Sequence, residues 1–320
     1  MTNAQKFNAN STTDEVLADI DLRGITAVVT GASAGLGEET VRALASKGAK
    51  VIMVARQMDK LQAAAERVRG QVTDAKLDMV MIDLADLASV RAGAKELNNK
   101  IDRLDVLINN AGLMACDFST TAEGCELQFA TNHVGHFLLT SLLAPALIAA
   151  KNARVVNLSS GGHKASAVDF EDLHYQNKAY DKWQAYGQAK TANVLFTVAL
   201  AKRLASKGVQ SFAVHPGAIV TTLGRHLSAD DIKEMMAEAK KAGTQMRYKS
   251  IPQGAATSVW AATSSALNDN TALYLEDCGI GSLAQEGVDG GYMAYAIDEV
   301  EAEKLWQVTE TIVNESFDFT

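Results

Sequence analysis

The sequence predicts an α/β protein: one doubly wound parallel sheet with helices on both faces, in a single domain. Three observations carry this. Short apolar runs recur along the chain, as in ITAVVT (25–30), VIMVA (51–55) and LDVLIN (104–109). Segments of helical length separate them, which is the pattern of a parallel sheet buried on both sides. The 320 residues, 48% of them apolar, suffice for one large core, with no repeat or linker to divide it.

Taken in order, residues 1–24 read as a polar extension in which STTDEVLADI forms a short helix capped by Ser11 or Thr12. The domain proper is 25–320. ITAVVT is a first strand, followed by a helix from about Leu36 to Lys47 that stops at Gly48. VIMVA is a second strand and 58–69 a helix; LDMVMID (77–83) is a third, with a helix running to about Lys100. LDVLIN is the fourth strand, before a long helix at about 132–150. ARVVNLS (153–159) and QSFAVH (210–215) are the fifth and sixth, separated by a helix over 186–206. SADDIKEMMAEAKKAG (228–243) has a serine cap and a glycine stop, and IPQGAATSVWAATSSA (251–266) starts with a proline suited to a first helical turn. TALYLE (271–276) reads as an edge or seventh strand, and EVEAEKLWQVTETIV (299–313) as a closing amphipathic helix.

Composition excludes several classes. A net charge of -8 argues against a nucleic-acid binder. Cys116, Cys125 and Cys278 are odd in number and widely spaced, as free thiols in a reducing compartment are, and no pairing suits a metal. The N-terminus carries no charged-then-apolar signal, and the longest apolar stretch, FLLTSLLAPALIAA, has 14 residues and a proline, too few to span a bilayer. A cytoplasmic protein without membrane attachment is expected.

TGASAGLG (30–37) stands between the first strand and its helix. Unpaired N–H groups at a helix start suit a pyrophosphate. Gly31 permits the sharp turn, Gly35 lets a ligand approach and Gly37 brings the helix close. A carboxylate at the end of the second strand would favour NAD(H). Ala55 and Arg56 stand there instead, and a guanidinium suits a 2′-phosphate, so NADP(H) is favoured and NAD(H) is the alternative. Tyr186 alone of seven tyrosines has a lysine four residues on, Lys190, one turn away on the same helical face. A nearby ammonium favours a phenolate, so Tyr186 is placed to trade protons with an alcohol or carbonyl.

With NNAG (109–112), IDL (82–84), TNHVGHFLL (131–139), VVNLSS (155–160), YGQAK (186–190) and HPGAIVTT (215–222), the chain resembles the short-chain dehydrogenase/reductase family, single-domain branch. NHVGHFLLT, LFTVALAKRLASKGV and AEKLW resemble its retinol-dehydrogenase-like members, without their apolar anchor. The resemblance implies a Rossmann-type sheet and an oxidoreductase acting on an alcohol/carbonyl pair.

It implies a catalytic set of Asn132, Ser160, Tyr186 and Lys190. Ser160, with Ser159 as the alternative, would stabilise the carbonyl oxygen, and Asn132 would hold a relay water. Cofactor contacts would come from Gly31, Ser33, Gly35, Leu36, Gly37, Arg56, Asp83, Leu84, Asn110, Ala111, Gly112, Pro216, Gly217, Ile219 and Thr221. Lys190 would also bind the nicotinamide ribose, and Thr221 the carboxamide. Residues 222–250 would form a substrate lid. Leu223, Met235, Met236 and Met246 from the lid, with Met114, Tyr180 and Trp183, either line an apolar pocket or only pack the lid and loop. His163 and His174 read as surface groups, and His133 and His136 as packed or solvated ones. The family implies a homodimer or homotetramer paired through the helices at 132–150 and 186–206. Two other classes compete. An epimerase would show a TGxxGxxG turn and a larger second lobe; a non-catalytic NADP sensor would lack Ser160, Tyr186 or Lys190, all present here.

Overall fold

A computed structural model describes residues 6–231, 233, 237 and 248–319. The strands are β1 (Thr26–Thr30), β2 (Lys50–Ala55), β3 (Lys76–Met81), β4 (Val106–Asn109), β5 (Ala153–Leu158), β6 (Val209–His215), β7 (Ala218–Ile219), β8 (Tyr248–Lys249), β9 (Leu273–Glu276) and β10 (Gly279–Ile280). The sheet order is β10-β9-β6-β5-β4-β1-β2-β3, every pair parallel except β10 with β9. β7 and β8 form a separate parallel pair. TALYLE is therefore the seventh parallel strand, and the edge belongs to two-residue β10, too short to leave a periodic signal.

Period-two alternation sorts the strand side chains into two layers. Val28, Ile52, Val80, Leu107 and Val155 face one core. Ala27, Val29, Met53, Ile108 and Val156 face the other. Helices α2 (Gly35–Ser46), α3 (Met58–Arg69) and α7 (Ile251–Thr263) cover the second layer. Helices α4 (Leu87–Lys100), α5 (Leu127–Ala149), α6 (Lys182–Leu204) and α8 (Glu299–Val313) cover the first. This is the doubly wound Rossmann-type arrangement expected.

The extension is part of the body. Helix α1 (Thr13–Val16) carries a capping box on Thr12, and Val16, Leu17 and Leu22 are buried with β1 and α2 in the second core. Asp14 pairs with Arg42, and the Gln253 side-chain amide donates to Asn10 O at 3.0 Å.

Two helices start earlier than their periodicity suggests. Asp181 accepts from the amides of Trp183 and Gln184, so α6 begins at Lys182. Buried Glu126 accepts from Gln128 and Phe129, so α5 begins at Leu127 and includes a π-helical turn, Ala130–Val134. At 23 residues α5 is long and apolar enough to cross a membrane by length and composition, but 78% of its apolar window is buried in this fold. The C-terminal segment completes that burial: Trp306 lies 4.7 Å from the Phe137 ring and Phe317 lies 5.8 Å from it. Thus α8 and the tail cover Phe137 and Phe196 on the two helices assigned above to pairing.

Candidate active site

The strand order reverses between β1 and β4, and the crevice at their C-terminal ends is where such sheets bind ligands. The glycine turn lies there. Gly31 (φ 67°) and Gly35 (φ 59°) are left-handed, and a Cβ on Gly31 would stand 2.9 Å from Ala111 Cα. A Cβ on Gly37 would strike Gly31 O at 2.3 Å, so the turn itself demands that glycine. Among the described residues, five of the seven long helices begin with a side-chain cap: Asp86, Glu126, Asp181, Ser250 and Asp298. Helices α2 and α3 begin at Ala34 and Gln57 with none. The residues thus fit a dinucleotide, with open amides at the glycine turn and Arg56 at the start of the second uncapped helix.

Behind the turn lies a buried hydrogen-bond network. The Thr30 hydroxyl accepts from the amides of Asn110 (2.9 Å) and Ala111 (3.0 Å). The Asn110 side chain donates to Thr30 O at 2.8 Å, which clamps NNAG to the end of β1. His136 bridges this point to the π turn, with Nδ1 2.9 Å from Asn132 O and Nε2 2.8 Å from Thr30 Oγ1. A carbonyl only accepts, so Nδ1 carries the proton and Nε2 accepts from Thr30. Burial pulls His136 down to about 4, which keeps it neutral. The Asn132 amide is taken up at both ends by the Leu113 backbone, at 2.7 and 2.9 Å. Its side chain therefore holds the loop after β4 in place, rather than standing open to a water.

Ser160, Tyr186 and Lys190 meet above β5. A Cβ on Gly162 would lie 2.8 Å from Tyr186 Cε1, so this glycine admits the ring beside Ser160. Lys190 Nζ stands 5.7 Å from the Tyr186 ring centroid and donates to Leu158 O at 3.0 Å. Ser159 is turned away, its hydroxyl donating to Lys190 O at 2.9 Å, which leaves Ser160 as the serine at the tyrosine. Burial pushes the Tyr186 phenol up to about 12, against a hydrogen bond from Ser160 that lowers it. Burial also pulls the Lys190 ammonium down to about 8. The expected depression of the phenol by lysine is not what this environment produces, because loss of water outweighs the attraction for both charged forms.

The remaining predicted residues are placed as follows. Thr221 Oγ1 caps its own 3₁₀ turn, Thr222–His226, and its Cβ lies 3.6 Å from a Cβ built on Gly35. Ile219 and Leu36 meet at Gly254. Gly217 (φ 95°) lies under the Lys249 side chain, next to Pro216. Asp83 accepts from its own turn at Ala85, and Leu84 is buried beneath Gly135. Ser33 O accepts from Arg67, whose charge Glu38 neutralises at 2.8 Å.

Met114, Leu223 and Trp183 are half-buried. Tyr180 turns its hydroxyl inward, where it accepts from Gln128 (2.8 Å) and reaches Glu126 (3.0 Å), so only its ring is available, against exposed Phe118. Met235, Met236 and Met246 lie outside the described residues, as does most of 228–243; its start is described, and Ser228 and Asp231 cap each other there as expected.

Sequence reasoning misread His163 and His174 as surface groups, while His133 and His136 are packed as it allowed. His163 is fully buried, with Nδ1 at 2.6 Å from Ser160 O and Nε2 accepting from Met293 N, so it anchors the serine segment. His174 is half-buried and accepts from Glu126 N. His215, not singled out, accepts from Gly161 and Gly217, joining the serine loop to the HPG loop. His163 stands three residues after VVNLSS and His215 opens HPGAIVTT, the only sequence signal of their roles, whereas His174 lies near no motif.

Residues 25–232 match the family described as short chain dehydrogenase. The chain belongs to that family. It is 42% identical over 297 residues to a "Probable oxidoreductase" of Streptomyces lividans, covering 90% of this chain and 97% of that one. It is 45% identical over 203 residues to human retinol dehydrogenase 13, covering 63% and 61% of the two. Among solved structures, the RhlG/NADP active-site complex of Pseudomonas aeruginosa superposes with a TM-score of 0.63 at 26% identity, covering 81% of this chain and 97% of that one. The chain is thus an oxidoreductase of a family that binds NAD(P) and acts on small molecules.

Proposed function

We propose that the protein is an NADP(H)-dependent oxidoreductase that interconverts a secondary alcohol and a ketone, or an aldehyde, of an apolar and bulky substrate. The meeting of Ser160, Tyr186 and Lys190 beside an uncapped glycine turn carries this reading. Arg56, at the end of β2 with no carboxylate in its place, supports NADP(H) over NAD(H). The NADP complex of the Pseudomonas relative agrees with that preference. Half-buried Met114, Leu223 and Trp183, with exposed Phe118, support an apolar substrate.

The nicotinamide supplies or accepts the hydride. In carbonyl reduction the Ser160 hydroxyl donates to the carbonyl oxygen. Tyr186 gives its phenolic proton to that oxygen as the carbon gains hydride, and the Lys190 ammonium holds the phenolate left behind. Oxidation of the alcohol runs the same transfers backwards. Asn132 acts as a positioning residue through Leu113 and His136. The protein works in the cytoplasm on this reading.

The test follows NADPH absorbance with bulky aromatic and alicyclic ketones and aldehydes, with NADH alongside. The account expects NADPH to be consumed and NADH to be poorer. A preference for NADH overturns the reading of Arg56 alone. Cofactor bound but unused across the panel favours the NADP-sensing alternative. No binding at all refutes the glycine turn as a phosphate seat.

A further inference from the structure

One buried side chain that the functional reading leaves unused is bonded to both flanks of the reacting set. Gln128, in the first turn of α5, is fully buried. Its Oε1 accepts from Ala115 N at 2.8 Å, in the loop after β4. Its Nε2 donates to Lys182 O at 3.0 Å, the first residue of α6, and to the Tyr180 hydroxyl at 2.8 Å. A backbone N–H only donates and a carbonyl only accepts, so the amide has one orientation here. Its oxygen and both its hydrogens are taken up.

The two ends of this bridge lead to the chemistry. Ala115 follows Met114, two residues after Gly112, and a Cβ on Gly112 would lie 3.0 Å from Asn132 Oδ1 and 3.6 Å from Lys190 Nζ. Lys182 precedes Trp183, which stands one turn before Tyr186 on the same helical face. In an α-helix the Lys182 carbonyl is also the acceptor for the Tyr186 N–H. A single amide thus spans from the Met114 flank to the turn that carries the reacting tyrosine.

The surroundings hold the same spacing. The Tyr180 hydroxyl has Glu126 Oε1 at 3.0 Å and Cys116 O at 3.2 Å as acceptors, and its ring lies 5.1 Å from Phe118. Ala115 is buried with φ 50°, a left-handed backbone that a residue with a side chain keeps only where its neighbours fix it. The bond to Gln128 supplies that fix. The Lys182 ammonium pairs with Asp231 at 2.5 Å, so the start of the segment expected to cover the substrate hangs on the same residue.

We propose that Gln128 is a positioning residue that sets the width of the substrate crevice between Met114 and Trp183, and with it the size of carbonyl compound accepted beside Tyr186. This rests on the functional reading above and deepens it. Being fully buried, Gln128 acts through Ala115 and Lys182 rather than on the substrate.

The test compares kcat/KM for a small ketone, cyclohexanone, with that for a bulky one, 2-acetonaphthone, at saturating NADPH. Wild type, Gln128→Met and Gln128→Asn are measured, with melting temperatures and with NADPH affinity from fluorescence titration. Gln128→Met keeps the length and loses both polar ends. Gln128→Asn keeps the amide but is one carbon shorter, so it holds one partner and not both. A variant that is merely less stable loses activity on both ketones alike and leaves their ratio where it was. An apolar pocket discriminates one methylene by about 10–200-fold. The ratio in either variant should therefore shift by about tenfold or more, mainly through KM, with NADPH affinity within about twofold of wild type. A ratio within about twofold of wild type in the variants that fold overturns the proposal and leaves the functional reading standing. A loss of NADPH affinity by about tenfold also overturns it, because the effect is then not confined to the substrate side. If the wild type reduces neither ketone nor any of the wider panel above, the functional reading fails and takes the proposal with it.

Discussion

The floor of the site and its phosphate rim are built on opposite terms. On the floor, Thr30, Asn110, Asn132 and His136 are buried or half-buried, and their polar groups answer one another: Thr30 to His136, His136 to Asn132 O, Asn132 to Leu113. At the rim, Arg56 is exposed and without an ion pair among the described residues, and α2 and α3 start without side-chain caps. Water lies behind the difference. A buried polar group must find its partner in the chain, whereas an exposed one is solvated until a ligand replaces the solvent. The floor is therefore prearranged for chemistry, and the rim is left open for phosphate.

The sharpest way to break this comparison is at the reacting group. Tyr186→Phe removes the proton donor while keeping the ring beside Gly162. Turnover should fall by about 10²–10⁴-fold, with NADPH affinity from fluorescence titration unchanged. A large loss of affinity as well would mean that the two regions are not separable.

A second comparison sets stability against binding. Thr30→Val strips a partner from His136 Nε2 and from the amides of Asn110 and Ala111. Leaving such groups unsatisfied costs about 1–3 kcal/mol each, seen as a lower urea midpoint. Arg56→Gln should shift that midpoint by less than about 0.5 kcal/mol. It should nevertheless weaken NADPH by about tenfold to a hundredfold, with NADH within twofold.

Acidity separates the regions further. His136 and His215 are lowered to about 4 and His133 to about 3, in each case chiefly by burial. Their folded values lie below the unfolded value near 6.5, so the unfolded chain takes up protons first as pH falls. Stability is then full above about 6.5 and lost progressively towards 4. Urea midpoints from pH 7.5 to 4.5 check this, and His136→Asn should flatten the slope. A smaller effect belongs to Lys190, whose ammonium is lost as pH rises through about 8. Carbonyl reduction should decline on that limb of a pH–rate profile.

Most of the floor was legible by motif, because a parallel sheet places the ends of β1, β4, β5 and β6 together whatever loops follow. Ser160, Tyr186 and Lys190 came together as the sequence suggested. The hidden parts share a cause. The tautomer and burial of His136, His163 and His215 depend on partners 54 to 130 residues away or on backbone carbonyls, which periodicity does not report. The early start of α5 was missed because its cap is Glu126, outside the usual Ser, Thr, Asp and Asn. The π turn leaves no compositional mark. The inward turn of the Tyr180 hydroxyl follows from the same buried glutamate.

Hydrogen exchange at single amides, with and without NADPH, tests the contrast between floor and rim most directly. The amides of Asn110 and Ala111 are bonded to Thr30 Oγ1, so the account predicts protection in the free protein and little change on adding cofactor. The amides at the start of α2, from Gly35 to Gly37, lie at an uncapped end and should exchange fast until NADPH protects them. Fast exchange at Asn110 and Ala111 without cofactor, or unchanged exchange at Gly35–Gly37 with it, would contradict the account.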